Sequence, residues 1–326
     1  MALPVKQFAA WTADVPLRAQ STSGGVFTEL ARAMFRRGGI VVAAGWRHNP
    51  LYVAHKVARN EDDLVEMRGA KYAPSDMSEA WAAVKEAIGN KTPCLFVGTP
   101  CQTAAMRNVF REHSDVLLLC SIFCHSVPDP IVWKKYVREL EAGAGKRLGE
   151  VCFRSKNHGG SWRRGMFVAD FLDGEHLIEP LSGNVYANAF FSRLSTRSSC
   201  LACQFKDGKA GADLMIGDFW GIEEFYPELD DVKGVSAVLV YSDRGANLLN
   251  DTHCVLHEVT YDAVVARNPY LEHSVECDRA ARARFFDHCE RYDLKRAYEK
   301  TIRRPLWKRI GGRVLRAFRR LNGMCE

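Results

Sequence analysis

The chain has 326 residues, of which 47% are hydrophobic and 26% are charged, a composition that excludes a disordered protein. The formal net charge is +6, but residues 301–320 contain eight lysines and arginines and no acid. The rest of the chain is therefore close to neutral, and no nucleic-acid-binding body is expected.

The cysteine count bears on the compartment and on the chemistry. Eleven cysteines are present, while the N-terminus lacks the apolar run of a signal peptide, and no segment reaches the roughly 18 apolar residues of a membrane span. We therefore expect a cytoplasmic protein. In that compartment clustered cysteines indicate metal or redox chemistry more often than disulfides.

The first predicted helix follows a loop of hydroxyl residues and glycines. Ser23, Gly24 and Gly25 precede apolar residues at helical spacing from Val26 onwards. Two interpretations stay open: a helix N-terminus that binds a phosphate of a dinucleotide, or ordinary N-capping by Ser23. Strands over residues 40–44 and 52–58, a short helix over 62–67, a loop over 68–75 and a helix over 77–88 are predicted next.

Two apolar strands, over residues 94–98 and 116–123, are separated by a helix over 103–110. Such alternation predicts a parallel sheet covered on both faces, with ligands beyond the carboxyl ends of its strands. Cys124 comes directly after one of these strands and Cys101 three residues after the end of the other, where a side chain can reach a cofactor. Cys94 and Cys120 lie inside the strands and are expected to be core residues.

The pattern changes after a helix predicted over residues 131–140. A strand over 151–156 and a hairpin over 166–178 have antiparallel character. The fold class is thus α/β, or α+β overall: a mostly parallel sheet flanked by helices, with an antiparallel middle and C-terminal portion. We predict an N-terminal domain over 1–148, a C-terminal domain over 149–300 and a basic amphipathic tail over 301–326.

A Cys-x-x-Cys pair, Cys200 and Cys203, precedes an apolar strand that ends in Gly-Asp-Phe-Trp-Gly at residues 217–221. One such pair supplies only two of the four ligands of a zinc or iron–sulfur site, although it suffices for a redox disulfide. With Cys101 and Cys124 there are four candidate ligands. Their scattered positions favour an iron–sulfur cluster over a zinc ribbon, with the dithiol as a third interpretation.

The tail combines apolar residues near helical spacing with arginines around the remaining circumference. Residues 301–321 are therefore candidates for peripheral contact with an anionic membrane at the inner face. The alternative is a helix docked on its own domain with a solvated basic face.

Six short segments together carry a family resemblance. They are Ser23-Gly24-Gly25-Val26-Phe27, Arg68-Gly69-Ala70-Lys71-Tyr72, Gly98-Thr99-Pro100-Cys101-Gln102, Cys124-His125-Ser126-Val127-Pro128, Cys200-Leu201-Ala202-Cys203-Gln204-Phe205 and Ile216-Gly217-Asp218-Phe219-Trp220-Gly221. In this order, over roughly residues 20 to 290, they resemble the coenzyme F-420 hydrogenase/dehydrogenase beta-subunit family.

The resemblance implies an iron–sulfur flavoprotein that passes electrons between a 4Fe-4S cluster and FAD, with coenzyme F-420 or another hydride carrier as substrate. It implies a set of cluster ligands: Cys101, Cys124, Cys200 and Cys203. It also implies a set of flavin neighbours: Ser23, Gly24, Gly25, Lys71, Tyr72, Thr99, Asp218 and Trp220. No acid–base dyad is predicted, since hydride transfer does not need one.

The chain departs from many relatives in one respect. It has no cysteine before Cys94, so an N-terminal ferredoxin module is not expected in it. The resemblance then implies a separate ferredoxin-like or hydrogenase-like electron partner. Some bacterial relatives are associated with cell-surface polysaccharide synthesis, which would agree with a membrane-seeking tail. A non-catalytic scaffold stabilised by a cluster or by zinc is the alternative function.

Overall fold

The computed structural model describes residues 3–48 and 51–302. The strands are β1 (Lys6–Thr12), β2 (Ile40–Arg47), β3 (Tyr52–Ala58), β4 (Ser75–Asp76), β5 (Cys94–Gly98), β6 (Leu117–Ile122), β7 (Leu148–Ser155), β8 (Met166–Phe171), β9 (His176–Pro180), β10 (Leu214–Asp218), β11 (Ser236–Val240) and β12 (Cys254–Glu258). The helices are α1 (Val15–Gln20), α2 (Val26–Arg36), α3 (Ser78–Gly89), α4 (Pro100–Val109), α5 (Pro130–Ala144), α6 (Val185–Phe191), α7 (Ile222–Phe225), α8 (Asp243–Asn250), α9 (Tyr261–Ala266), α10 (Arg279–Arg291) and α11 (Leu294–Ile302).

A nine-stranded sheet organises the molecule, in the order β12-β1-β11-β10-β6-β5-β2-β3-β4. Its centre, β10-β6-β5-β2, is parallel throughout. Strand β11 is antiparallel to both β10 and β1, so β1 runs in the same direction as the central strands. The predicted α/β fold with a mostly parallel sheet is confirmed.

The central strands form because their sequences are continuous apolar runs that can be buried on both faces. All five residues of β5 are buried, and so are the first five of β6. Cys94 and Cys120 have no exposed surface and act as small core residues, as predicted.

A second, antiparallel sheet consists of β7, β8 and β9, which confirms the predicted change of character in the middle of the chain. One face packs on α5 and α6 through an aromatic cluster. Within it the Phe153 ring of β7 lies 5.9 Å from that of Trp133 in α5 and 5.7 Å from that of Tyr186 in α6. Burying several such rings supplies much of the apolar area that holds these helices to the sheet.

The predicted boundary near residue 148 coincides with the start of β7 at Leu148. Strands from both sides of that position nevertheless share the nine-stranded sheet, because β10, β11 and β12 return to it. The division into domains 1–148 and 149–300 stays a prediction.

The predicted basic tail lies outside the described residues from 303 onwards. Within the described part of the chain, no helix has both the length and the apolar composition required to cross a bilayer.

Candidate functional site

The candidate residues meet at one edge of the large sheet. Because the central strands are parallel, their carboxyl ends lie side by side. Cys101 follows β5, Cys124 follows β6, and Asp218 ends β10. The loop that contains Ser23 follows β1, which runs in the same direction, and joins the group at this edge.

A cavity of about 600 Å³ opens at this edge. Five cationic side chains line it: those of Arg68, Lys71, Arg154, Arg163 and Arg193. Within the described residues, its lining includes one carboxylate, that of Asp218. Aromatic and aliphatic side chains complete the walls, so the cavity suits a ligand that combines an apolar ring system with negative charge.

The loop before α2 is held by its backbone geometry. Gly25 has φ +84°, a left-handed conformation that favours glycine. A Cβ on Gly24 would lie 2.3 Å from the carbonyl oxygen of Ala10. Gly24 is therefore required for packing against β1 and does not line the cavity, whereas Gly25 does.

Ser23 does not cap α2. The N-cap residue is Gly25, without a side-chain cap hydrogen bond, and the Ser23 hydroxyl donates instead to the Val235 carbonyl oxygen at 2.9 Å. The capping interpretation of the sequence is wrong, because the loop turns once more before the helix begins. Ser23 lines the cavity while its hydroxyl ties the loop to β11.

Cys101 is placed by the N-terminus of α4. Thr99 and Gln102 form a capping box there, and the Thr99 amide donates to the Gln102 side-chain oxygen at 2.9 Å. The Thr99 hydroxyl lies 3.2 Å from the Cys101 sulfur. Cys101 is exposed, so its thiol is available on the outer side of this helix end.

Backbone contacts bring the Cys-x-x-Cys segment beside the loop that follows β6. Pro128 and Thr196 form an isolated β-bridge, and the Arg197 amide donates to the Val127 carbonyl at 2.9 Å. Three residues later Cys200 lies in a 3-10 turn. The loop of Cys124 and the segment of Cys200 are thus adjacent although 76 residues separate the two cysteines in the sequence.

Burial and neighbouring charges raise the pKa of two of the candidate thiols. Burial raises the pKa of Cys124 to about 12, against the opposing effect of the Lys206 ammonium. Negative charge on each of the other three thiols raises it further: Cys101, Cys200 and Cys203. Burial likewise raises the pKa of Cys200, with a smaller increase from the charges of Cys101 and Cys203.

The side chains do not by themselves form a finished coordination sphere. Across residues 3–48 and 51–302, no group of three or more His, Cys, Asp or Glu side chains has the arrangement of a metal site. What the fold supplies is the adjacency of the Cys124 loop and the Cys200 segment, with Cys101 following the neighbouring strand β5. Thiols are the donors that an iron–sulfur cluster requires.

Lys71 lies in the cavity wall with no carboxylate within ion-pair distance among the described residues. Its ammonium donates to the Arg68 carbonyl at 2.8 Å, and burial lowers its pKa to about 7. The neighbouring Tyr72 packs its ring against Phe153, Phe190 and Phe191. Burial raises the pKa of the Tyr72 phenol.

Arg154 is the functional candidate that sequence reasoning missed. It comes from β7 of the second sheet and forms an ion pair with Asp218 at the end of β10. Its guanidinium also donates to the Trp162 carbonyl at 2.7 Å and lies 5.0 Å from the centre of the Trp220 ring. No local signal marks it, since Asp218 is 64 residues away.

Arg193 is a second candidate that the sequence did not reveal. It adopts φ +66°, which is uncommon for a residue other than glycine, and its guanidinium lies 5.0 Å from the Tyr270 ring. No ion pair with a carboxylate is present for it in the described part of the chain. His125 lies against the same ring, at 5.3 Å, and burial lowers its pKa to about 4, so it is neutral.

Comparison with known families decides the classification. Two models of the coenzyme F420 hydrogenase/dehydrogenase beta subunit match: the model of its C terminus at residues 92–259 and the model of its N-terminal part at residues 7–82. The chain belongs to the coenzyme F420 hydrogenase/dehydrogenase beta-subunit family. This is a family of oxidoreductases, and the C-terminal match spans all four candidate cysteines.

The fold agrees with the beta-subunit family. A solved structure described as "Xenon derivatization of the F420-reducing [NiFe] hydrogenase complex from Methanosarcina barkeri" contains a similar chain, with a TM-score of 0.52 and 16% sequence identity. The match covers 88% of this chain and 94% of that one. At this identity the likeness shows the shared fold alone. No curated protein matches the sequence.

Proposed function

We propose that this beta-subunit-like oxidoreductase passes electrons between a 4Fe-4S cluster and FAD, and that a deazaflavin such as coenzyme F420, or another hydride carrier, is its substrate. The observation that carries the proposal is that the loop of Cys124 and the segment of Cys200 lie side by side at the sheet edge that holds a cationic, aromatic-walled cavity. The proposed cluster ligands are Cys101, Cys124, Cys200 and Cys203.

The cavity supports the FAD part of the proposal through its charge. Arg154 and Arg163 are paired with carboxylates, and so is Arg68. Lys71 and Arg193 have no such partner in the described residues, and two cations without a carboxylate in the cavity lining favour a ligand with phosphate groups. Of the predicted flavin neighbours, all except Gly24 line this cavity: Ser23, Gly25, Lys71, Tyr72, Thr99, Asp218 and Trp220.

When bound, the flavin and the cluster would supply two-electron and one-electron chemistry respectively. The protein's own residues position and shield these groups. The Arg154–Asp218 pair fixes the inner wall, and Trp220 stacks on Trp162 with ring centres 5.2 Å apart. Ile122 and Phe191 line the cavity and keep 39% and 44% of their surface exposed, so they provide an apolar face for the ring of the hydride carrier.

The partner is proposed to be a separate ferredoxin-like or hydrogenase-like protein. The similar solved chain comes from a hydrogenase complex, and Cys101 is exposed at the edge of the thiol group, where an electron donor can approach. A role in cell-surface polysaccharide synthesis stays a prediction from the sequence resemblance.

Anaerobic purification of the full chain tests the proposal. We expect flavin absorption bands, a broad brown shoulder, and about four iron and four sulfide per chain. Cys200→Ser should lose the shoulder and most of the iron. Cys289→Ser, which changes a half-buried cysteine in α10 away from the thiol group, should retain both. A colourless protein that contains zinc would instead establish the scaffold alternative.

The substrate is tested on the same preparation. Reduced protein should transfer electrons to coenzyme F420, measured as loss of the deazaflavin absorbance, and more slowly to nicotinamide cofactors. Equal or greater activity with a nicotinamide would reject the deazaflavin assignment and leave the cluster and flavin assignments intact.

A further inference from the structure

Lys206 lies three residues after the Cys-x-x-Cys pair and is only 7% exposed. Its ammonium donates to two backbone carbonyl oxygens, that of Cys124 and, at 2.6 Å, that of Tyr270. Within the described residues no carboxylate lies within ion-pair distance of it. Lys206 is thus a buried cation bonded only to neutral groups.

A buried ammonium of this kind is costly unless negative charge compensates it. The structure shows where such charge would be. The Lys206 ammonium lies against the loop that follows β6, where Cys124 is a proposed cluster ligand. Its own hydrogen bond to the Cys124 backbone holds it beside the thiol group. The thiolates of a cluster held at Cys124 would supply the compensating charge next to this lysine.

We propose that Lys206 is the counter-charge of the cluster and sets its reduction potential. The inference rests on the proposed function, since it requires that the four thiols hold a cluster. A cluster with four thiolate ligands carries net negative charge, which increases when it accepts an electron. A fixed cation next to it, poorly screened by water, stabilises the reduced form and raises the potential.

The test compares four forms of the full chain, purified anaerobically: wild type, Lys206→Met, Lys206→Arg and Lys209→Met. Lys209 is the matched control, because it lies three residues further along the same turn segment and is exposed, so water screens its charge. The measurements are iron and sulfide content, and a redox titration of the cluster followed by electron paramagnetic resonance.

We expect Lys206→Met to disfavour cluster reduction about tenfold, equivalent to a potential lower by about 59 mV for a one-electron couple. Lys206→Arg and Lys209→Met should stay close to wild type. Potentials of Lys206→Met and wild type that coincide, with cluster content unchanged, would overturn the inference.

Cluster content decides the case in which Lys206→Met does not incorporate the cluster. If Lys206→Arg restores incorporation, the requirement is for charge, as proposed. If the Lys206→Arg variant also fails to incorporate the cluster, the lysine side chain has a steric role and the inference is rejected. A wild-type protein without iron and sulfide would instead reject the proposed function, so the two failures are distinguishable.

Discussion

At the scale of single residues, the candidate site contains cationic side chains that are almost fully buried. Arg154 is 9% exposed and its partner Asp218 has a side chain that is 15% exposed. A buried ion pair adds little net stability, but removing one partner leaves the other charge desolvated and unpaired. The pair therefore fixes the position of β7 relative to β10, where the two sheets meet. The effects on stability of replacing Arg154 and of replacing Asp218 are consequently not independent.

We predict that Arg154→Met destabilises the protein by about 3–5 kcal/mol, because the Asp218 carboxylate is left buried without a partner. The double variant Arg154→Met with Asp218→Asn should recover a large part of that loss. Urea denaturation of both single variants and the double variant gives the coupling energy. Additive effects of the two substitutions would show that the ion pair does not act as a unit.

Lys71 carries a prediction about pH. Because burial lowers its pKa to about 7, the side chain loses its charge as the pH rises through neutrality, whereas an exposed lysine would keep it. A flavin phosphate needs the protonated form, so the Kd for FAD should increase between pH 7 and pH 9. In Lys71→Met the affinity should be lower, about tenfold at pH 6, and nearly independent of pH.

The control for this measurement is Lys85→Met, which removes an exposed lysine from α3. Fluorescence quenching of FAD on binding gives each Kd. If wild type and Lys71→Met have the same pH profile, Lys71 does not contact the phosphates.

At the scale of elements, strand ends and short connections position the thiols. A Cβ on Gly217 of β10 would lie 2.2 Å from the Phe123 ring, and the Phe123 amide donates to the Ile216 carbonyl at 2.8 Å. Close approach of β10 and β6 therefore requires glycine at position 217. Cys124 follows Phe123 directly, so the contacts of Phe123 with β10 also position the backbone of Cys124.

Gly217→Ala should cost about 1–3 kcal/mol, since the ring must move to admit the methyl group, and the displaced Cys124 should reduce the iron content. Gly89→Ala is the comparison, because nothing lies within 4 Å of the added Cβ at the end of α3. That change should be neutral or slightly stabilising. Normal iron content in Gly217→Ala would show that cluster binding does not depend on the contact between Gly217 and the Phe123 ring.

The sequence predicts these elements well where a pattern is local. The continuous apolar runs of β5 and β6 reveal a parallel sheet, and parallel strands place Cys101 and Cys124 at one edge. Residues 6–12 form β1, which the sequence analysis did not predict. The Arg154–Asp218 pair could not be found either, because it joins two sheets and has no pattern within either strand.

At the scale of the whole molecule, the cavity exists only because both sheets contribute to it. The large sheet provides the strand ends, and β7 of the smaller sheet provides Arg154. This explains why motif positions, read along the sequence, predicted seven of the residues that line the cavity but missed cations contributed from elsewhere. The family's motifs lie at the strand ends, whereas the positive charge that β7 adds to the cavity depends on tertiary packing.

The sequence of the basic tail, residues 301–326, supports a prediction about where the molecule is located: we expect the tail to bind anionic membranes. In the full chain, replacing Arg313, Arg316, Arg319 and Arg320 by Gln removes four charges. If the tail adsorbs to anionic lipid at about 1 kcal/mol per basic residue, binding to phosphatidylserine-containing vesicles should fall about a thousandfold in a sedimentation assay, and neutral vesicles should bind neither form.

Iron, sulfide and flavin content should stay unchanged, because the proposed site residues all precede the tail. Weak binding by the unmodified chain would instead favour a tail docked on its own domain, with arginines that only face solvent.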